Sequence, residues 1–154
     1  MTFEFEAIAR DDPRVLALYR EFIAEADGPL GIESGPDEAP PADLVPPNGI
    51  LLLARVDGEP AGLGGIRHLD TGLAEVKSMY VAPGFRGIGL GRRILGELER
   101  IALERGCRGV RLDTSDYLTE AIGLYRSAGY SEVSDYNENP KASLWFERAL
   151  RQDD

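Results

Sequence analysis

Val81-Ala82-Pro83-Gly84-Phe85-Arg86-Gly87-Ile88-Gly89-Leu90-Gly91-Arg92-Arg93 joins two runs of different period. Before it, Leu73 to Val81 reads as a strand; after it, Leu90, Ile94, Leu95, Leu98, Ile101 and Ala102 recur at helical spacing. Glycines at 87, 89 and 91 let the backbone approach a ligand closely. The first N–H groups of the following helix lack partners within it and lie at the positive end of its dipole. The stretch therefore reads as an anion cradle suited to a pyrophosphate.

Two familiar phosphate loops fail against it. No Lys-Ser or Lys-Thr pair follows Gly91, which excludes GxxxxGK[ST]. A GxGxxG turn would need glycine at Arg92 or at Ile94. What remains is Arg86-x-x-Gly89-x-Gly91, preceded by Val81-x-Pro83. This pattern resembles the acetyl-CoA-binding motif of the GNAT superfamily of N-acetyltransferases. A glycine-rich turn closing a strand–helix unit without a ligand would use the same residues.

Outward from the loop, the chain reads as one domain over residues 1–154, long enough to bury a core without disulfides. With 43% hydrophobic and 29% charged residues it is globular rather than disordered. The single Cys107 allows no internal disulfide and no cysteine metal cluster. Together with an N-terminus that has neither a basic region nor an apolar one, this points to the cytoplasm and to no signal peptide. No apolar run has the length of a membrane span.

The net charge of −10 is uneven: residues 1–60 carry −9 and residues 61–154 carry −1. Seven arginines against three acids between Arg86 and Arg111 make the one basic segment coincide with the cradle. Overall acidity argues against nucleic acid and makes a cationic small substrate somewhat easier to attract, although a solubilising surface is the better single explanation of the acidic half.

Strands are expected at Phe3 to Ala7, Ile50 to Val56, Ala61 to Leu69 and Leu73 to Val81, the last three as an antiparallel meander. Asp12 as N-cap and Pro13 at the first turn open a helix whose stripe runs from Val15 to Ala26. Six of the ten prolines fall between Gly28 and Asn48, a loop with a short helix around Asp37 to Leu44. Past the cradle come a helix to Arg105, a strand at Val110 to Thr114 parallel to the fourth, a helix at Thr119 to Ala128, and strands at Tyr130 to Ser134 and Ala142 to Glu147. An exposed last strand around Trp145 would allow pairing into a homodimer.

This order resembles the GNAT fold over essentially the whole chain, most strongly from Ala74 to Tyr130. The resemblance implies an α/β (α+β) fold: a mixed, mostly antiparallel sheet of six to seven strands with about four helices, strands 4 and 5 parallel and splayed. It further implies acetyl-CoA as acyl donor, no metal, and direct transfer in a ternary complex to a primary amine of a small molecule. Alternatives are a catalytically inactive acyl-CoA-binding module and an acetyltransferase acting on protein N-termini or lysines.

By the same resemblance, Met79, Tyr80 and Val81 offer backbone groups to the pantetheine arm, and Arg86, Gly87, Ile88, Gly89, Leu90, Gly91 and Arg92 hold the pyrophosphate. Tyr125, in Ala121-x-x-Leu124-Tyr125-x-x-x-Gly129-Tyr130, corresponds to a tyrosine that protonates the departing thiolate. A phenol is protonated at neutral pH and can do so, yet Tyr125 also lies on an apolar stripe and could be an ordinary core tyrosine. Glu75 stands where some GNAT enzymes place a base that takes the acceptor's proton directly or through water. Strict alternation puts Glu75 on one side of its strand with Leu73, Lys77 and Met79, and a solvent-facing Glu75–Lys77 pair is the other reading. Leu118 departs from the family, where asparagine often stands. Arg93 competes with Arg92 for the phosphates, Arg67 and His68 could line an acceptor pocket, and one histidine makes a nucleophilic Cys107 a poor candidate.

Overall fold

The computed structural model describes residues 1–32 and 38–151. Its elements are β1 (Phe3–Ala7), α1 (Pro13–Asp27), β2 (Gly49–Val56), β3 (Glu59–His68), β4 (Ala74–Val81), α2 (Leu90–Glu104), β5 (Gly109–Thr114), α3 (Thr119–Ser127), β6 (Ser131–Val133) and β7 (Leu144–Ala149). Single 3-10 turns occupy Gly28–Leu30 and Pro83–Phe85. The seven strands form one sheet in the order β1-β2-β3-β4-β5-β7-β6. All pairings are antiparallel except β4 with β5, as the strand–helix–strand connection demands.

Local chemistry accounts for several of these boundaries. Asp12 accepts from the backbone N–H of Arg14 and Pro13 begins α1, so the helix starts where its cap allows. Asp57 (φ 50°) and Gly58 (φ 85°) both take left-handed backbone in the tight β2–β3 turn. Gly62, Gly64 and Gly65 leave much of the middle of β3 without side chains. A Cβ on Gly64 would stand 2.5 Å from Ile94 Cγ2, so the missing side chain is what lets α2 lie down on the sheet.

Two cores result, one on each face. Leu90, Ile94, Leu95 and Leu98 of α2 pack with Val110, Leu112, Tyr125 and Phe146 on one side. Val15, Leu18, Tyr19 and Ile23 of α1 pack with Leu51, Leu53, Leu63 and Tyr80 on the other, closed by Leu44 from the proline-rich loop. Among the described residues no helix is long and apolar enough to cross a membrane.

Three expectations need correction. Among the described residues there are three α-helices, beside two 3-10 turns, where about four helices are expected. Residues 38–44 form bends and turns rather than a short helix, Asp37 lying outside the described residues. Backbone polar groups there are met by loop contacts instead, such as Arg10 Nε on the carbonyl of Pro40 at 2.7 Å. Trp145 is not on an edge: β7 lies between β5 and β6, Trp145 opposing Asp113 on one side and Val133 on the other. The sheet edges are β1 and the three-residue β6.

Candidate functional site

The alternation of β4 breaks at Ser78, which has φ 56°. Opposite it the β3 register slips, Leu63 facing Tyr80 but Gly65 facing Lys77, so one residue is extra on β4. The bulge shifts the phase of everything after it. Met79 and Val81 therefore pack with Val76 toward α2, whereas Tyr80 joins the α1 core, and Met79 does not share a side with Glu75 and Lys77 as unbroken alternation predicts. Just before the bulge, β4 and β5 part: only Ala74↔Val110 and Glu75↔Arg111 are paired.

A cavity of about 560 Å³ lies between the end of β4, the start of α2, α3 and the end of α1. Of the residues read from the sequence as cofactor-binding, Met79, Tyr80, Val81, Arg86, Gly87, Gly89, Leu90, Gly91 and Arg92 line it, with Tyr125. Ile88 does not; it packs into the α2 core. Gly87 (φ 79°) and Gly89 (φ 84°) are left-handed, and Gly89 caps α2 without any side-chain hydrogen bond. Arg93 N–H on Gly89 O, at 3.2 Å, closes the first turn, so the amides before it point outward from the helix start. Gly91 keeps this wall open, since a Cβ there would stand 3.2 Å from Leu124 Cδ2 and 3.8 Å from Met79 Cε.

The arginines of the loop divide their work. Arg86 Nε donates to Val81 O (2.9 Å) and its Nη2 to Glu25 Oε2 of α1 (2.7 Å), with the guanidinium over the Tyr80 ring. Arg92 lines the cavity and reaches Ser127 Oγ at 3.5 Å. Arg93 turns away, its guanidinium 5.4 and 5.6 Å from the ring centres of Phe3 and Phe5. The sequence did not assign Phe22 and Glu25 of α1, or Tyr117, to this cavity. Tyr117 donates its hydroxyl to the carbonyl of Ala26, tying the segment before α3 to the end of α1.

A second cavity of about 240 Å³ lies toward α1 and the β6–β7 loop. Tyr125, Met79, Phe22, Ala26, Leu118 and Ala121 belong to both cavities, so the two adjoin at Tyr125. Burial, and after it the charge of Asp113, pushes the Tyr125 phenol above its ordinary range and keeps it protonated at neutral pH.

Glu75 lines neither cavity and is 1% exposed. It accepts from Arg67 Nε (2.8 Å), Tyr136 Oη (2.5 Å) and Asn137 Nδ2 (3.2 Å), with Lys77 Nζ at 3.8 Å. The solvent-facing Glu75–Lys77 pair is thus corrected to a buried cluster whose first partner, Arg67, lies directly across the β3–β4 hairpin. Lys77 continues to Asp113 Oδ2 (3.1 Å), which also accepts from Asn137 Nδ2 (2.6 Å). Arg67 is spent on Glu75 and Asp43, His68 is exposed at the strand end, and Cys107 is buried, its thiol pushed up by desolvation. In chemical terms the larger cavity offers a cradle for anions and a phenolic proton donor, and the smaller offers carboxylates beside apolar walls.

Residues 13–130 match the model of the Acetyltransferase (GNAT) family. An uncharacterized N-acetyltransferase of Schizosaccharomyces pombe is 31% identical over 135 residues, 85% of this chain and 83% of its own. An IAA acetyltransferase of Azospirillum brasilense is 37% identical over 112 residues, covering 70% of this chain and 72% of its own. Among solved structures, the PaiA N-acetyltransferase of Thermoplasma acidophilum in complex with coenzyme A aligns at TM-score 0.76 over 97% of this chain and 100% of that one, at 18% identity, a likeness of fold. With the bulged β4, the parted β4–β5 pair and the glycine-capped α2, these matches place the chain in the GNAT family as an acyltransferase.

Proposed function

We propose that this protein transfers the acetyl group of acetyl-CoA directly to a primary amine of a small molecule, with donor and acceptor bound together. The observation that carries this reading is the junction of the two cavities at Tyr125 and Met79. A donor on one side and an acceptor on the other would meet there without a covalent enzyme intermediate.

The residues of the larger cavity fit coenzyme A. Gly87, Gly89 and the first amides of α2 supply an uncapped, positively polarised end for a diphosphate, with Arg92 beside it. On the β5-facing side of β4 beyond Glu75, peptide groups stand without a ladder partner and can hydrogen-bond an extended arm. When bound, acetyl-CoA supplies the thioester acetyl group and a thiolate leaving group. Tyr125 donates its proton to the departing sulfur, a role suited to a phenol kept neutral by burial. A backbone N–H near Met79 or Tyr80 steadies the carbonyl oxygen as charge develops on it. Glu75, fixed by four groups and lining neither cavity, takes the acceptor ammonium's first proton through water rather than by contact; the free amine then bonds to the acetyl carbon as the carbon–sulfur bond breaks, and its second proton restores the Tyr125 hydroxyl.

The acceptor side is a cavity of about 240 Å³, a size that supports a small molecule. Coenzyme A thiol release with a panel of amines tests the proposal. Acetylation of at least one amine, dependent on Tyr125, is expected; coenzyme A binding without thiol release for any amine overturns it in favour of a binding module.

A further inference from the structure

Beyond Tyr125 the smaller cavity combines two kinds of wall. Tyr19, Phe22 and Ile23 of α1, with Leu118, supply apolar surface, and Asp113 of β5 supplies a carboxylate. That carboxylate ends a chain of alternating charge. Asp43, Arg67, Glu75, Lys77 and Asp113 follow one another at N···O separations of 3.3, 2.8, 3.8 and 3.1 Å.

Three anions against two cations leave the row one negative charge in excess, and the cavity wall itself carries Asp27 and Asp113 against Lys77 and Lys141. At one end Asp43 is half exposed and solvated; at the other, Asp113 is 9% exposed and stands on the cavity wall. An ionised carboxylate withdrawn from water is costly unless matched by donors and countercharge. Lys77 and Asn137 both reach Oδ2 of Asp113, and a carboxylate accepts up to about four hydrogen bonds, so capacity for a further donor remains.

Position argues the same way. Asp113 comes two residues after Arg111, whose pairing with Glu75 is the last between β4 and β5, so it lies where the sheet has opened. Asp113 and Tyr125 both line this cavity, and Tyr125 stands where it adjoins the larger one. Asp27, the other carboxylate among the described lining residues, is paired with Lys141 Nζ at 3.0 Å much as Asp113 is with Lys77, but it lies on α1 rather than at the opening of the sheet.

Resting on the transfer reading above, we infer that the acceptor is a small primary amine with an apolar body, and that Asp113 receives its ammonium group. The apolar body lies against Tyr19, Phe22 and Leu118, and the nitrogen is held within the opening of the sheet, next to Tyr125. Asp113 thereby selects the substrate, and the Glu75 cluster behind it keeps Lys77 and Asn137 in place.

Phenethylamine serves as probe, with phenethyl alcohol as its neutral counterpart. In steady-state acetylation, Asp113→Asn should raise the KM for phenethylamine at least about tenfold while the KM for acetyl-CoA stays within about twofold, the split expected of lost substrate binding. Asp113→Glu, which keeps the charge, should recover part of the loss. In parallel, calorimetry on the wild-type protein saturated with coenzyme A should show phenethylamine binding at least about tenfold more tightly than phenethyl alcohol; this arm stands if the variants fail to fold. Equal binding of the two, or an unchanged amine KM in Asp113→Asn, overturns the inference and leaves the transfer reading intact. So does acetylation of L-lysine but not of phenethylamine. If coenzyme A binds and no amine of a wider panel is acetylated, both fall.

Discussion

Arg86 of the glycine loop is held by Glu25 of α1, Nη2 to Oε2 at 2.7 Å. The loop and the helix on the other side of the cavity are therefore joined by one partly exposed ion pair. Glu25 places a negative charge on the wall of a cavity that we assign to a polyanion. Glu25→Gln should tighten coenzyme A binding roughly two- to fivefold at low salt, in proportion to an exposed pair worth up to about 1 kcal/mol. The gain should shrink as salt rises. Isothermal titration at two ionic strengths measures it, and weaker binding by the variant would count against this account of Arg86.

Tyr125→Phe removes the phenolic proton from the junction of the two cavities while keeping the ring that packs against Tyr130 and Phe146. The kcat should fall about a hundredfold, the ordinary range for loss of a positioned acid, with the KM for acetyl-CoA within about twofold. A melting temperature close to wild type should accompany it. Retained turnover would return Tyr125 to the status of a core tyrosine.

Gly64→Ala tests the close seating of α2 on β3. The new Cβ would meet Ile94 Cγ2 at 2.5 Å and Leu98 Cδ1 at 3.1 Å, both from fully buried side chains. Overpacking of this kind costs about 1–3 kcal/mol, to be read from urea unfolding midpoints. A variant as stable as wild type would mean that α2 shifts freely.

Alkaline pH should unfold the protein through its phenols. Tyr80, Tyr130 and Tyr136 are pushed up first by desolvation and then by the carboxylates they donate to, Glu21, Glu99 and Glu75, with Tyr80 raised to about 12. A phenol whose folded pKa exceeds its unfolded value of 10 favours the fold fully below pH 10 and loses that contribution as pH rises through the folded value. Stability should therefore decline from pH 10 upward, and tyrosinate absorbance from these residues should appear together with loss of circular dichroism. If all six tyrosines of the chain titrate near pH 10 with the dichroism intact, the burial argument is wrong.

Much of the fold was legible because its signals are local. The Asp12-Pro13 start of α1, the Asp57-Gly58 turn and the glycines before α2 each dictate a backbone conformation to neighbours in sequence, and the elements form there. The glycine spacing marks the loop as an anion cradle, and the GNAT resemblance adds which of its residues are expected at the cofactor; most of those line the larger cavity.

What was missed depends on partners distant in the chain or on a break in period. Alternation along β4 assumes an intact pleat, and the only hint of the bulge is the adjacent polar pair Lys77-Ser78 between Val76 and Met79. Arg93 was weighed for phosphate because Phe3 and Phe5 lie far back in sequence. The Arg67 partner of Glu75 was within reach, since the Asp70-Thr71-Gly72 turn sets those two residues opposite one another in the hairpin. Placing Trp145 on an edge failed because local pattern does not reveal that β7 inserts between β5 and β6. For the same reason the β6–β7 loop, which brings Tyr136 and Asn137 onto Glu75, carried no signal.

The two-rung contact between β4 and β5 makes the sheet mechanically a pair of plates, β1–β4 and β5–β7, stitched at one end. Force applied across that seam would meet two residue pairs where other neighbouring strands in the meander share five or more. A molecule lodged in the gap and bonded to both plates then serves as a crosspiece. Ligand occupancy is in this sense a repair of the sheet, to be felt as slower amide exchange along β4 and β5 and as greater resistance to pulling the plates apart.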